Sequence, residues 1–428
     1  MKKVRDGYKM TELGDIPNEW RISALGNICE FKGRIGWRGY TKNDLREYGP
    51  LVIGATQISA SNKLDFSNPT YLSTEKYEES PEIKVYLNDI ILVKTGNTIG
   101  KVAIVDKEIG DATINPNTVL LKNITCFNKY LYYIVVSEII QKPLNKSITV
   151  GAQPSVNQET LKKILIPIPT LKEQEKIASI LSTVDEQIDN VDALIEKNKE
   201  LKKGLMQTLF TKGIGHIKFK NTEIGEVPSE WYIKSIDEIT KEVYRYPTYY
   251  GIEYVEEGIA EIRGELLNDD ASIKKECFRY ISEKTAKKFP RTKLEVGDIV
   301  ISVRGTIGKV GYITEELAGS NITANLLRVS MNRNIMNEHF IKQLFLSDIM
   351  KRKFDEITTA TTIKTFKVPE FKQIILAIPT KDEQDKIASI LLEVDKKIEE
   401  HENKKQKLEN LKKGLMQQLL TGMIRVTV

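Results

Sequence analysis

The sequence predicts a mixed α/β (α+β) protein made by internal duplication: two globules with β-rich mixed sheets, separated by two long antiparallel coiled-coil helices, the halves related by a pseudo-twofold axis. Three observations carry that expectation. Motifs recur in the same order about 210 residues apart, as when Thr11-Glu12-Leu13-Gly14-Asp15-Ile16-Pro17-Asn18-Glu19-Trp20 returns as Thr222-Glu223-Ile224-Gly225-Glu226-Val227-Pro228-Ser229-Glu230-Trp231. Short β-branched and aromatic runs broken by Gly, Pro and Asn fill most of each copy, the pattern of strands and turns. Each copy then ends in a Pro-free stretch whose apolar residues keep helical spacing. Solenoid units run roughly 20 to 50 residues, so what has been doubled here is a whole domain with its appended helix.

In the first globule, residues 1–170, strands are expected at Pro50 to Gly54, Asp89 to Val93, Lys101 to Val105 and Leu165 to Pro169, with a helix around Asn128 to Ser137. The second globule, residues 213–379, repeats the frame, with its helix at Asn337 to Lys353. The segment Asp89 to Val102 returns as Asp298 to Val310, and both contain Thr-Ile-Gly-Lys. This is no phosphate loop. Three residues separate Gly96 from Gly100 where that pattern needs four, and Val102 stands where a Ser or Thr would bind magnesium. A hydrophobic strand, a Gly turn and a second strand predict instead a β-hairpin with a basic tip, Asn97 being an extra residue in the first copy. Between these anchors the copies diverge: Arg34 to Asn62 shows no counterpart in Val243 to Asp270, as expected of one frame carrying two different surfaces.

The helical segments are residues 171–212 and 380–428. Ile177, Leu181, Val184, Ile188, Val191 and Ile195 are spaced alternately four and three apart, a heptad seam, and Ile387, Leu391, Val394 and Ile398 repeat it. Leu408, Leu411, Leu415 and Leu419 continue the second stripe. An apolar seam of that length needs a partner helix. Two matched rods in one chain pair most economically with each other, pairing between chains being the competing arrangement.

Composition narrows the chemistry. At 40% hydrophobic and 29% charged residues the chain is of ordinary globular type. No apolar run approaches the roughly 18 residues of a membrane span, and the basic stretch Met1 to Met10 is followed by no apolar region of a secretory signal. A cytoplasmic protein with no membrane partner is expected. The three Cys (Cys29, Cys126, Cys277) and three His (His216, His339, His401) stand at no metal-ligand or disulfide spacing, so neither a metal nor another cofactor is expected. Three scattered His leave almost no material for a Ser-His-Asp or Cys-His constellation, and no nucleophile elbow or dinucleotide fingerprint occurs. No catalytic residue is assigned; the chain reads as a binding protein.

The helical segments are nearly neutral, with seven basic against eight acidic residues in 171–213 and ten against nine in 381–425, so the net charge of +5 belongs to the globules. Within the divergent inserts basic and aromatic residues interleave: Lys32, Arg34, Trp37, Arg38, Tyr40 and Lys42, then Lys241, Tyr244, Arg245, Tyr246, Tyr249 and Tyr250. Lys and Arg neutralise phosphates, while Arg, Asn and Gln read base edges.

Together these residues resemble a family. The doubled Gly-Asp/Glu-Ile/Val-Pro-x-x-Trp openings, the hairpins, the Pro-x-x-x-Glu-Gln-x-Lys-Ile boundaries (Pro169 to Ile177, Pro379 to Ile387) and the Leu-Lys-Lys-Gly-Leu-Met-Gln helix ends are similar to those of the specificity subunits of type I restriction-modification systems, over nearly the whole chain. The resemblance implies a non-catalytic reader of double-stranded DNA. Each globule would be a target recognition domain taking one half of a bipartite asymmetric sequence, with the helices as spacer and docking surface for two methyltransferase subunits, which restriction subunits join. The DNA-contact candidates are Arg34, Arg38, Tyr40, Lys94, Lys101 and Gln153 in the first globule, and Arg245, Tyr246, Arg263, Arg304, Lys309 and Lys364 in the second. A coiled-coil scaffold whose globules bind protein ligands is the alternative.

Overall fold

The structure, a computed structural model, describes residues 5–34, 39–149, 154–246, 252–358, 365 and 367–427. By compactness the chain forms one unit of residues 1–191 and 404–428 and another of residues 192–403, each holding one globule and a part of both long helices.

The first unit runs β1 (Tyr8–Thr11), β2 (Gly14–Pro17), β3 (Arg21–Ala24), β4 (Glu30–Lys32), β5 (Leu45–Ile53), β6 (Tyr71–Leu72), α1 (Thr74–Glu78), β7 (Ile90–Val93), β8 (Val102–Ile104), β9 (Ala112–Ile114), β10 (Thr118–Lys122), α2 (Asn128–Val136), α3 (Glu138–Lys146), α4 (Gln158–Lys162) and β11 (Leu165–Ile168), then enters α5 (Leu171–Leu209). Its main sheet is antiparallel in the order β4-β10-β7-β8, and the expected hairpin is β7 with β8, Ile90 opposite Ile104. Alternation along the strands splits the core in two. Ile90, Leu92, Val119 and Leu121 face the helices, while Ile91, Val93, Ala103 and Leu120 face the smaller sheet β6-β5-β9.

The second unit repeats this with β12 (Phe219–Thr222), β13 (Gly225–Pro228), β14 (Tyr232–Ser235), α6 (Ile236–Ile239), β15 (Thr240–Arg245), β16 (Tyr254–Val255), β17 (Ile259–Ile262), β18 (Arg279–Ile281), α7 (Glu283–Lys288), β19 (Ile299–Ser302), β20 (Val310–Tyr312), β21 (Asn321–Ile322), β22 (Leu326–Met331), α8 (Glu338–Leu346), α9 (Asp348–Ile357), α10 (Val368–Lys372), β23 (Ile375–Ile378) and α11 (Lys381–Leu419). The main sheet order, β15-β22-β19-β20, is the same.

Two expectations change. The helix expected at Asn337 to Lys353 is α8 and α9, because Ser347 turns extended (ψ 155°) and its hydroxyl accepts from Met350 N to start a new helix. Ser137 separates α2 from α3 in the same way. The inserts, whose sequences show no counterpart, nevertheless share a topology. β5 lies antiparallel to β6 and parallel to β9, as β17 does to β18 and β21. Gly49 and Gly258, 209 residues apart, each pass over a carbonyl: a Cβ on Gly49 would lie 2.7 Å from Leu72 O, and one on Gly258 would lie 2.5 Å from Ile281 O. Gly258→Ala is therefore expected to cost about 1–3 kcal/mol through that clash, read as a lower urea midpoint. Gly204→Ala, where a Cβ on α5 meets nothing within 4 Å, is expected to add about 0.5–1 kcal/mol by the helix preference of Ala.

Within each unit the α5 and α11 segments run antiparallel. In the first, Ile177 and Leu181 share a core with Leu415, Leu419 and Leu420, and Asp185 accepts from Tyr133 Oη at 2.8 Å and pairs with Lys412 Nζ at 2.6 Å. In the second, Leu209 and Phe210 share a core with Ile387 and Leu391, and Asp395 accepts from Gln343 Nε2 at 2.5 Å and pairs with Lys202 Nζ at 2.6 Å. Of the seam residues, Val184, Val191, Ile195 and Val394 are also buried, and Ile188 and Ile398 half-buried. Leu411 departs from the stripe: it is 50% exposed, and its neighbour Lys412 turns inward to Asp185.

Candidate nucleic-acid interface

The start of each long helix is fixed to its globule by a carboxylate, buried in the first unit and half-buried in the second. Glu173 is 1% exposed; its Oε2 accepts from Thr170 N and Oγ1, and its Oε1 from Trp20 Nε1 at 3.4 Å and Arg425 Nε at 2.7 Å. Burial pushes its pKa up, but hydrogen bonds from Arg425, Thr170 and Trp20 outweigh that and hold it below the ordinary value. In the second unit Glu383 accepts from Trp231 Nε1 at 2.9 Å and stands 2.9 Å from His216 Nε2. The next residue ties the helix to the globule: Gln174 accepts from Phe127 N and donates to Pro169 O, and Gln384 accepts from Asn337 N and donates to Pro379 O. The doubled Trp and Pro-x-x-x-Glu-Gln motifs are thus parts of one joint.

The sequence candidates come from distant segments, and the fold brings the described ones of each globule to one end of its main sheet. In the first, Arg34 follows β4, Lys94 follows β7, and both meet the connection from β9 to β10. Lys94 N and Thr95 N donate to Asn117 O, and Tyr40 Oη accepts from Asn115 Nδ2 at 2.6 Å. In the second, Arg245 Nε donates to Ala324 O at 3.0 Å, Val303 N to Asn325 O, and Thr323 N to Ile262 O, next to Arg263; Arg304 bridges to Thr365.

Individual side chains differ in availability. Arg34, expected on an outer loop, is 6% exposed, since its Nε donates to Ile114 O and its Nη2 to Thr113 Oγ1, over the Tyr40 ring. Desolvation lowers its pKa, opposed by Tyr40, Glu82 and Glu79. Tyr246, likewise expected outside, is 3% exposed against Phe289, and burial, then Glu261, pushes its phenol up to about 12. Both are parts of the interior of their sheet ends, because the chain just past the strand turns a long side chain inward, Arg34 onto β9 and Tyr246 onto Phe289. Lys101 Nζ donates to Ile58 O at 2.8 Å and Lys309 Nζ to Leu267 O at 3.2 Å, each fastening the insert to the hairpin. Arg263 donates to Cys277 O and pairs with Glu265. Lys94 is half-buried, with its pKa lowered by desolvation. Arg38, Gln153 and Lys364, with Trp37, Tyr249 and Tyr250, lie outside the described residues. Sequence reasoning missed Asn115 and Asn117; the turn-forming Asn-Pro-Asn was the available signal.

Among the described residues no group of His, Cys, Asp or Glu is arranged to hold a metal ion, and no helix is long and apolar enough to cross a membrane.

Comparison with known proteins gives the same arrangement. The family model described as type I restriction modification DNA specificity domain matches twice, at residues 17–201 and 217–410. The MjaVIII type I restriction enzyme specificity subunit of Methanocaldococcus jannaschii is 30% identical, covering 96% of this chain and 94% of the relative. The putative MjaX specificity subunit of the same organism is 28% identical over 98% and 97%. Among solved structures, the specificity subunit from M. genitalium is similar in fold (TM-score 0.54, 18% identity, 99% of both chains), as is a chain from a type I restriction-modification assembly (TM-score 0.60, 17% identity, 96% of this chain and 99% of that one). With two copies of the domain spanning both globules and their helices, the chain belongs to the type I restriction-modification DNA specificity family.

Proposed function

We propose that the chain is the DNA-recognition subunit of a type I restriction-modification complex, each globule reading one half of a bipartite, asymmetric duplex target. The family match over both halves is the observation that carries this reading. It is supported by the gathering of the basic and polar candidates at the same end of two topologically equal sheets. The two long helices set the distance between the half-sites and dock two methyltransferase subunits; restriction subunits join through that core. Methylation and cleavage belong to those partners, and this chain acts by positioning. The domains that follow from this reading are residues 1–170 and 213–379 as recognition domains, with 171–212 and 380–428 as spacer helices.

The test is competition binding of the chain with its methyltransferase partners. One bipartite sequence is expected to bind at least about a thousandfold tighter than scrambled duplex at physiological salt, with affinity falling steeply as salt rises. Equal affinity for both duplexes, with little salt dependence, would favour a protein-binding scaffold instead.

A further inference from the structure

Three groups at the first sheet end are already committed. Arg34 bonds to the β9 strand, Asn115 to Tyr40, and Lys101 to Ile58. Two others are not. The Asn117 carboxamide makes no hydrogen bond among the described residues, and its Oδ1 is withdrawn from solvent. Lys94, half-buried, has no hydrogen-bonded or ionic partner for its ammonium there either. Yet the two are neighbours. The β10–β7 register sets Thr118 opposite Val93, so one step further Asn117 stands opposite Lys94, with Lys94 N donating to Asn117 O at 2.9 Å. Directly opposed residues have Cβ atoms roughly 4.5–5.5 Å apart on one face of the sheet.

A buried amide oxygen without a donor costs free energy until a ligand supplies one, and the half-buried Lys94 ammonium beside it is held by no acceptor among the described residues. With the carboxamide swung out of its covered position, an adenine edge supplies both complements, N6–H for Oδ1 and N7 for Nδ2, while Lys94 can donate to N7 or O6 of an adjacent purine. We propose that Asn117, with Lys94 beside it, reads a purine edge in the half-site taken by the first globule. The second sheet keeps half of this arrangement. Asn325 occupies the corresponding step, its carbonyl accepting from Val303 N, so a valine stands where the first sheet has Lys94. The two globules therefore share the carboxamide and differ in the cation, as reading two different half-sites requires.

This rests on the DNA-reading function above. The test is selection from a randomised duplex library by the full chain in complex with its methyltransferase subunits, comparing wild type, Asn117→Ala, Asn117→Asp and Lys94→Met. Wild type is expected to select a two-block motif. Asn117→Ala is expected to lose discrimination at one purine position of one block by roughly 5- to 150-fold, the range for one bidentate base contact, with the other block unchanged. Asn117→Asp, which replaces the donor by a second acceptor, is expected to turn preference away from purine at that position. Lys94→Met is expected to weaken the same or the adjacent position. A motif unchanged in Asn117→Ala overturns the proposal, and so does a uniform loss of affinity for all sequences, the signature of a purely structural residue. Failure of the wild-type complex to select any motif would instead remove the DNA-reading function itself.

Discussion

Replacing Val184 and Ile188 together by Asp is expected to unfold the helix pairing of the first unit and to abolish recognition of a two-part target. Val184 is buried and Ile188 half-buried, and the adjacent Asp185 is already satisfied by Tyr133 and Lys412. New carboxylates there would replace apolar seam side chains, and burying an uncompensated charge costs about 3–5 kcal/mol. Thermal melting of the purified chain should show a lost or strongly lowered transition for this unit. DNA binding by the complex should fall to its non-specific level. A variant that melts as wild type, or still selects the two-part target with its original spacing, would show that the seam does not act as the spacer. Exchanging the polar lock, Asp185→Lys with Lys412→Asp, is the milder control and should retain pairing.

The second large effect is expected from Glu173. Truncation to Ala leaves Trp20 Nε1 and the Thr170 backbone amide without their acceptor, a loss of about 1–3 kcal/mol for stranded donors, while Arg425, 38% exposed, keeps Glu19. The same carboxylate predicts an acid transition. Its pKa is held below the unfolded value, so its contribution is fully present above the unfolded pKa near about 4.3 and is lost as pH falls through the folded one. Wild type should lose stability below about pH 4, and Glu173→Ala should lose less over the same interval. Equal acid sensitivity in both would show that Glu173 is not the group responsible.

Much of the architecture is legible in the sequence because its signals are local. Heptad spacing from Ile177 to Ile195 marks α5, strand alternation marks β7 and β8, and the doubled Trp20 and Trp231 openings mark equivalent joints. What stayed hidden depends on contacts across long sequence separations. The common frame of the inserts is held by Gly49 and Gly258, whose importance lies in a carbonyl 23 residues further on. Arg34 and Tyr246 read as surface residues by type, and only the fold shows Arg34 bonded to Ile114 and Tyr246 packed on Phe289. Asn117 carries no sequence signature beyond a turn, since its significance is an unfilled hydrogen-bonding position opposite Lys94.

The most direct measurement of the central claim is the map of methylated positions in DNA from cells carrying this chain and its methyltransferase partners. A single motif of two separated blocks at fixed spacing is expected, one block altered by changes in residues 1–170 and the other by changes in 213–379. Methylation that follows one continuous block, or that does not change when either globule is altered, would contradict the claim.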